Sequence, residues 1–177
     1  PADAVVVEIG TFLGCSTVLL AGGRKIRGSG EVHAVDPFDA SGDPFSQPIY
    51  ASIRDSAERS LRDRFEQNLA QAGVERFVHV HASRAEDLVG RWTRRVDLLF
   101  LDGNHEYEAV LAFYCAWLPF LKLGGILAVH NSRPGYRRET HDGSARLVEE
   151  RVHPPAYGEI ELVGSITFAR KLNDGRP

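Results

Sequence analysis

The sequence contains no methionine and only two cysteines, Cys15 and Cys115, which lie in apolar segments a hundred positions apart. Neither cysteine belongs to a metal-binding or redox spacing, so we expect two reduced and largely buried thiols rather than a disulfide framework. The absence of methionine, even at position 1, is consistent with a processed or trimmed chain that has lost an N-terminal cover segment.

Long apolar runs and a strong charge of one sign are also absent. No run approaches the ~18 residues that a membrane span needs, and no signal peptide opens the sequence. The formal net charge is −3, which argues against broad electrostatic binding to nucleic acid or to an anionic membrane. The composition therefore predicts a cytoplasmic protein with neither kind of partner.

Short apolar runs alternate with segments of helical period along the whole chain. The runs predict strands at 4–9, 31–35, 77–80, 96–101, 126–129, 159–163 and 166–171. A tight turn at Gly164-Ser165 makes the last two strands antiparallel. The alternation predicts one α/β domain over residues 1–177, with a doubly wound, mostly parallel sheet and helices on both faces.

Two helix boundaries follow from glycine and from periodicity. Gly22 and Gly23 predict the end of the first helix, which starts near Ser16. Apolar residues at every fourth position predict a single amphipathic helix over 51–72. The segment before it, 37–50, has no periodicity and is predicted to be a loop.

Polar side chains follow the predicted parallel strands at the point where each strand ends. In sheets of this kind, ligands bind outside the carboxyl ends of the strands. The polar residues at these ends are Glu8, Asp36, Ser83, Asp102, His130 and Asn131. The loops 37–50 and 132–143 flank the same edge, and they offer an aromatic wall from Phe38, Phe45, Tyr50 and Tyr136.

The turn after the first strand reads Glu8-Ile9-Gly10-Thr11-Phe12-Leu13-Gly14-Cys15-Ser16. It lacks the G-x-G-x-x-G spacing of dinucleotide sites, and no Walker lysine follows it. A carboxylate at Glu8 repels a pyrophosphate but attracts a cation. The turn therefore favours S-adenosylmethionine, a sulfonium with a free ammonium and no phosphate, over NAD.

Asp36 is placed to accept hydrogen bonds from the two ribose hydroxyls of such a cofactor. An acidic residue at this point also occurs in NAD sites. It equally suits a turn before Pro37, so Asp36 alone does not identify the ligand.

The chain resembles class I S-adenosylmethionine-dependent methyltransferases in the runs VVVEIGTFLGCST, VHAVDPFD, HASRAEDL, LLFLDGNHEYEAVLAFYCAWLPFLKLGGILAVHN and ELVGSITFARK. It is most similar to bacterial catechol-type and macrocin-type (macrolide-sugar) O-methyltransferases. The resemblance implies the strand order 3-2-1-4-5-7-6 with an antiparallel last strand. It also implies a cofactor site formed by Glu8, Gly10, Thr11, Phe12, Ser16, Asp36, Pro37, Ala82, Ser83 and Asp102.

The resemblance further implies two catalytic devices, because methyl transfer to oxygen needs alignment and removal of the hydroxyl proton. One is a divalent metal, Mg²⁺ or Mn²⁺, on Asp102, His130 and Asn131. The other is a base at His105, whose unperturbed pKa is about 6.5. Catechol-type enzymes carry Asp-Asn where this chain has His130-Asn131, which leaves the metal open and tilts it toward a transition metal. A loop-positioning role for His105 also stays open.

These features predict an O-methyltransferase for a small hydroxylated acceptor, either a phenol or a natural-product sugar. A non-catalytic cofactor-binding module is the alternative that His130-Asn131 favours. An NAD-dependent oxidoreductase is the other alternative. We also expect a homodimer, because the chain begins at its first strand without its own cover for the site.

Overall fold

A computed structural model describes residues 1–173 and contains one seven-stranded sheet of order β3-β2-β1-β4-β5-β7-β6. The strands are β1 Val5–Ile9, β2 Glu31–Val35, β3 Val78–His81, β4 Val96–Leu101, β5 Leu121–Val129, β6 Tyr157–Val163 and β7 Ile166–Lys171. The first five are mutually parallel, whereas β7 is antiparallel to both β5 and β6. The predicted fold class and strand order are therefore confirmed.

Within residues 1–173, six α-helices cover the two faces of the sheet. They are α1 Cys15–Arg27, α2 Gln47–Asp55, α3 Leu61–Ala72, α4 Ala85–Val89, α5 Tyr107–Trp117 and α6 Gly143–Arg151, with short 3₁₀ helices at Glu75–Phe77 and Leu118–Phe120. None of the helices within residues 1–173 is both long and apolar enough to cross a membrane.

The strand period of two divides the core into two clusters. Val5, Val7 and Ile9 of β1 pack with residues of α4, α5 and α6 on one face. Val6 points to the other face, where it packs with residues of α1 and α3. Glu8 has the same parity as Val6, so the period sends its carboxylate into the layer beneath α1 and α3.

The first helix runs past the glycine pair that was predicted to end it. It extends to Arg27, and Gly28 ends it in a left-handed conformation with φ of 78°. The Gly28 N–H donates to the carbonyls of Arg24 and Lys25, which satisfies free acceptors at the helix end. The prediction from Gly22 and Gly23 was wrong because a helix can continue through an internal glycine at a cost of only about 1 kcal/mol per residue.

The single helix predicted over 51–72 is two helices, α2 and α3. Ser60 interrupts the pattern in an extended conformation, and its hydroxyl accepts a hydrogen bond from the Asp63 N–H at 3.1 Å. Serine at this position competes with helix continuation by capping a new helix. Only α3 carries the buried stripe (Leu61, Phe65 and Leu69), while α2 buries no residue and occupies part of the predicted loop.

Candidate functional site

A cavity of about 400 Å³ lies at the carboxyl ends of β1, β2 and β4. The backbone ladder continues one residue beyond these strands: the Gly10 N–H donates to Val35, and the Asp102 N–H donates to Ile9. The predicted site residues on the cavity wall are Gly10, Thr11, Phe12, Ser16, Asp36, Asp102 and His130. Glu8, Pro37, Ala82, Ser83, His105 and Asn131 are not part of the wall that the described residues form.

The wall also contains residues that were not predicted to lie there, among them Leu13, Cys15, Arg84, Ala85, Glu86, Asn104 and Phe113. Cys15 and Cys115 are both exposed free thiols, so the prediction that they are buried was wrong. Of the four predicted aromatic residues, only Tyr50 lines the cavity, and its ring lies 4.6 Å from that of Phe12. Phe38 instead packs on Phe65, and Phe45 packs on His141. The prediction of a four-residue aromatic wall was therefore wrong.

Gly10 brings the first turn into contact with the end of β4. Its φ is 86°, and a Cβ on it would lie 2.3 Å from the Asp102 carbonyl oxygen. The next residues turn back toward β2, with Phe12 at a positive φ of 47°. The close approach leaves the cavity floor as bare backbone between β1 and β4.

Asp36 anchors this turn through its side chain. The Thr11 and Phe12 N–H groups donate to its Oδ2 at 3.0 and 2.9 Å, and the Phe38 N–H donates to its Oδ1 at 2.7 Å. Burial raises the pKa of Asp36 above its usual value, although these bonds oppose the shift. A carboxylate has about four acceptor positions, so Asp36 holds the turn and keeps capacity for a further donor.

Glu8 lies directly beneath the turn and is fully buried. The hydroxyl of Ser16 donates to its Oε1, and the hydroxyl of Thr17 donates to its Oε2 at 2.5 Å. Burial raises the pKa of Glu8 to about 7. Ser16 lines the cavity and Glu8 does not, so Glu8 acts on the cavity through Ser16 and through its charge.

Asp102 and His130 form a hydrogen-bonded pair on the cavity wall, with His130 Nδ1 2.5 Å from Asp102 Oδ1. Burial raises the pKa of Asp102, and the bond from His130 opposes that shift. The same bond raises the pKa of His130 above its usual value. The hydrogen bond therefore favours the protonated form of His130 at the point where β4 and β5 end.

His105 lies behind this pair rather than on the cavity wall, and only 3% of it is exposed. Its Nδ1 is 3.1 Å from the Ser144 hydroxyl, and its Nε2 is 3.8 Å from Asp102 Oδ1. Burial and the neighbouring His141 lower the pKa of His105 to about 4. His105 is therefore neutral at pH 7 but a weak proton acceptor.

Two of the predicted metal ligands, Asp102 and His130, lie in one cluster with His105. Ligand atoms of Asp102, His105 and His130 all lie within 4.8 Å of one another. The Asn131 amide lies 3.4 Å from His105 Nε2 and 3.2 Å from His141 Nε2. One carboxylate among several imidazoles fits Mn²⁺ or another transition metal better than Mg²⁺, which prefers oxygen ligands.

A buried pair, Asp43 and His141, joins the two loops beside the cavity and was missed by sequence reasoning. His141 Nδ1 lies 3.1 Å from Asp43 Oδ1, and the two residues are 6% and 1% exposed. Asp43 also accepts hydrogen bonds from the N–H groups of Phe45 and Ser46. The one signal for this pair in the sequence was that both loops flank the same edge of the predicted sheet.

A family model and several solved structures are similar to this chain. A family model described as a methyltransferase domain matches residues 7–132. Cofactor-bound Rv0187 from MTB is 22% identical with a TM-score of 0.68, and the match covers 97% of this chain and 75% of that chain. The O-methyltransferase TomG from Streptomyces achromogenes, solved with SAM, is 21% identical with a TM-score of 0.65 over 97% and 74% of the two chains.

A third solved structure has a different kind of acceptor in its name. It is an rRNA methylase from Streptococcus thermophilus, 15% identical with a TM-score of 0.62, and the match covers 97% of this chain and 89% of that chain. At these identities the likeness to solved structures shows a shared fold, and a fold alone does not fix the acceptor.

Proposed function

Because the chain belongs to the methyltransferase-domain family, we propose that it transfers a methyl group from S-adenosylmethionine to a hydroxyl of a small molecule. One observation carries the proposal: the cavity at the strand ends has an acidic wall and a bare backbone floor. Asp36 and Asp102 line it, and Glu8 lies beneath it. Arg84, on the same wall, is 3.3 Å from Asp39. This arrangement suits a cation without phosphate.

Asp36 binds the ribose hydroxyls in this proposal, since its side chain faces the cavity and retains acceptor capacity. The turn Gly10–Phe12 and Ser16 contact the methionine part, and Glu8 supplies negative charge from below. Ala82 and Ser83 flank the adenine. Among the described residues, the buried Ser83 hydroxyl makes no hydrogen bond to another side chain or to the backbone, so its donor and acceptor are available to the adenine in this proposal. Pro37 holds the Asp36 backbone.

Asp102 and His130 receive the proton of the acceptor hydroxyl. His130 lines the cavity, while Asp102 holds it through Nδ1 and stabilises its protonated form. His105, the base predicted from the sequence, is the second candidate, and its burial and low pKa favour a positioning role. A divalent ion on Asp102, His130 and Asn131 would acidify the acceptor hydroxyl when bound.

Thermal unfolding with S-adenosylmethionine, S-adenosylhomocysteine and NAD tests the cofactor. We expect stabilisation by both sulfur compounds and not by NAD, about 2.7 kcal/mol at 100 times the dissociation constant. Asp36→Asn should reduce this stabilisation, whereas Asp55→Asn on the exposed end of α2 should not. No response of the folded protein to either sulfur compound would contradict the proposal.

Transfer of labelled methyl to phenols and sugars, with and without Mn²⁺, tests the reaction. His130→Gln should lower kcat by 10²–10⁴-fold if His130 is the base. If His105→Gln shows the larger loss and His130→Gln retains activity, His105 is the base instead. Cofactor binding without turnover on any panel would support the non-catalytic module, and turnover only on RNA would reassign the acceptor.

Cytoplasmic location and dimerisation are parts of the proposal that stay predictions. A net charge of −3 supports a small acceptor over nucleic acid. Analytical ultracentrifugation of the intact chain measures the oligomeric state directly.

A further inference from the structure

A second group of titratable side chains lies on β2 and β3, away from the cavity. Glu31 is the first residue of β2, so it sits at the opposite end of that strand from Asp36. His33 is two positions on and shares its sheet face. His79 is the register partner of His33 on the edge strand β3. The fold therefore brings one carboxylate and two imidazoles to a single face of the sheet edge.

The three side chains direct their ligand atoms toward one point. Glu31 Oε2 lies 2.9 Å from His79 Nε2 and 3.5 Å from His33 Nε2. The ligand atoms of all three lie within 4.8 Å of one another. Tetrahedral zinc ligands at 2.0–2.1 Å from the ion are about 3.4 Å apart, so small side-chain shifts complete such a site.

The orientation of His33 is fixed by groups around it. Its Nδ1 lies 2.9 Å from His81 Nε2, and the Trp92 ring packs edge-on at 4.7 Å. These contacts keep Nε2 of His33 aimed at Glu31. Metal-bound histidines ordinarily make such a hydrogen bond through the ring nitrogen that does not bind the metal.

Arg94 is the one cation at this point among the described residues, and it competes with a metal ion. Its guanidinium pairs with Glu31 Oε1 and lies 3.2 Å from His33 Nε2. Its side chain is 47% exposed, so it can leave His33 and keep its bond to the outer carboxylate oxygen. The other carboxylate oxygen of Glu31, Oε2, faces the two histidines.

We propose that Glu31, His33 and His79 bind a divalent transition-metal ion of the zinc class. Two imidazole nitrogens and one carboxylate suit Zn²⁺ and its neighbours rather than Mg²⁺ or Ca²⁺. Burial lowers the pKa of His33 to about 4, so the ring is a neutral ligand at pH 7. The ion ties the edge strand β3 to β2, and the site is separate from methyl transfer.

Zn²⁺ titration of the full chain labelled with ¹⁵N in its histidine rings tests the site. The seven histidines are followed separately, so ions bound near His105 and His130 are distinguished from ions bound here. We expect Nε2 of His33 and His79 to shift together, with saturation at one equivalent for this pair. Unshifted His33 and His79 rings at saturating Zn²⁺ would overturn the proposal.

Two variants give the affinity its controls. His79→Gln should weaken Zn²⁺ binding at His33 at least tenfold, and its 56% exposed side chain makes it compatible with folding. His153→Gln, on an exposed histidine after α6, should leave the affinity unchanged. Equal binding by His79→Gln and the wild type, with circular dichroism showing both folded, would also refute the site.

Discussion

Gly10 is the residue at which the turn after β1 depends most directly on the absence of a side chain. Its backbone is left-handed, and the Asp102 carbonyl and Gly103 Cα occupy the space of a Cβ, at 2.3 and 2.5 Å. Gly22 in α1 is the opposite case, with helical φ and no atom within 4 Å of an added Cβ. The two glycines therefore form a matched pair for one substitution.

Gly10→Ala should destabilise the fold and abolish cofactor binding. The left-handed backbone costs an alanine about 1–2 kcal/mol, and the overlap with backbone adds about 1–3 kcal/mol. Gly22→Ala should instead raise the free energy of unfolding by about 0.5–1 kcal/mol. Urea unfolding and thermal shift with S-adenosylhomocysteine measure both, and equal stability of the two variants would contradict the close contact at Gly10.

At the scale of single residues, the sequence predicts strand-end groups better than loop groups. Gly10, Asp36 and Asp102 were predictable because parallel topology alone brings strand ends to one edge. That His130 lines the cavity and His105 lies behind it with Ser144 was not predictable from the sequence. Asp43 and His141, 98 positions apart, meet through irregular backbone that no periodicity encodes.

At the scale of elements, the Asp43–His141 pair joins the loop after β2 to the loop before α6. Both partners are almost fully buried, and His141 Nε2 continues to the Asn131 amide after β5. The pair thus holds two loops and one strand end in a fixed relation beside the cavity.

Asp43→Asn should loosen both loops together. The substitution weakens a charge-assisted bond in a buried position, a loss of about 1–3 kcal/mol. Asp39→Asn in the same loop is the control, because the exposed Asp39–Arg84 contact contributes about 0–1 kcal/mol. Amide hydrogen exchange should accelerate at residues 41–46 and 138–142 in the first variant only. Faster exchange in just one loop would disprove the coupling.

Element boundaries were the part of the fold that sequence patterns located least well. The strands over 31–35, 96–101 and 166–171 coincide with the prediction, because a turn containing glycine or proline adjoins each of them. Helix limits failed where one local residue outweighed the pattern: Ser60 started a new helix within an apolar period, and Gly22 and Gly23 did not stop one. Strand β5 begins at Leu121, ahead of the Gly124-Gly125 pair, whereas the prediction placed its start after that pair, at residue 126.

For the whole molecule, buried titratable groups set the response to acid. Burial lowers the pKa of both His33 and His105 to about 4, so their contribution to stability is full above pH 6.5 and is lost as the pH falls toward 4. Glu8 acts in the opposite sense, since burial raises its pKa to about 7. Its contribution to stability is full below pH 4.5 and is lost as the pH rises through 7.

Between pH 8 and pH 5, the stability lost at His33 and His105 should exceed the stability gained at Glu8. Together they lose about 4 kcal/mol over this interval while Glu8 gains about 2–3 kcal/mol, a net loss of about 1–2 kcal/mol. Glu8→Gln removes the compensating group, so its loss should approach about 4 kcal/mol. Urea midpoints at the two pH values measure both proteins. A wild type that is more stable at pH 5 than at pH 8 would contradict this prediction and show that the groups with raised pKa values, which also include Asp36, Asp102 and His130, outweigh the two histidines.

The position of β7 between β5 and β6 has a consequence for synthesis. Strand β5 ends at Val129, but its outer neighbour begins only at Ile166. A ribosome that adds 5–20 residues per second needs about 2–7 s to produce the intervening segment. During that interval the nascent sheet presents a paired, apolar strand with one open edge, which is the geometry that recruits foreign strands. The hairpin of β6 and β7 then closes that edge as a unit, so assembly of this sheet finishes with a segment made after all the strands whose ends line the cavity.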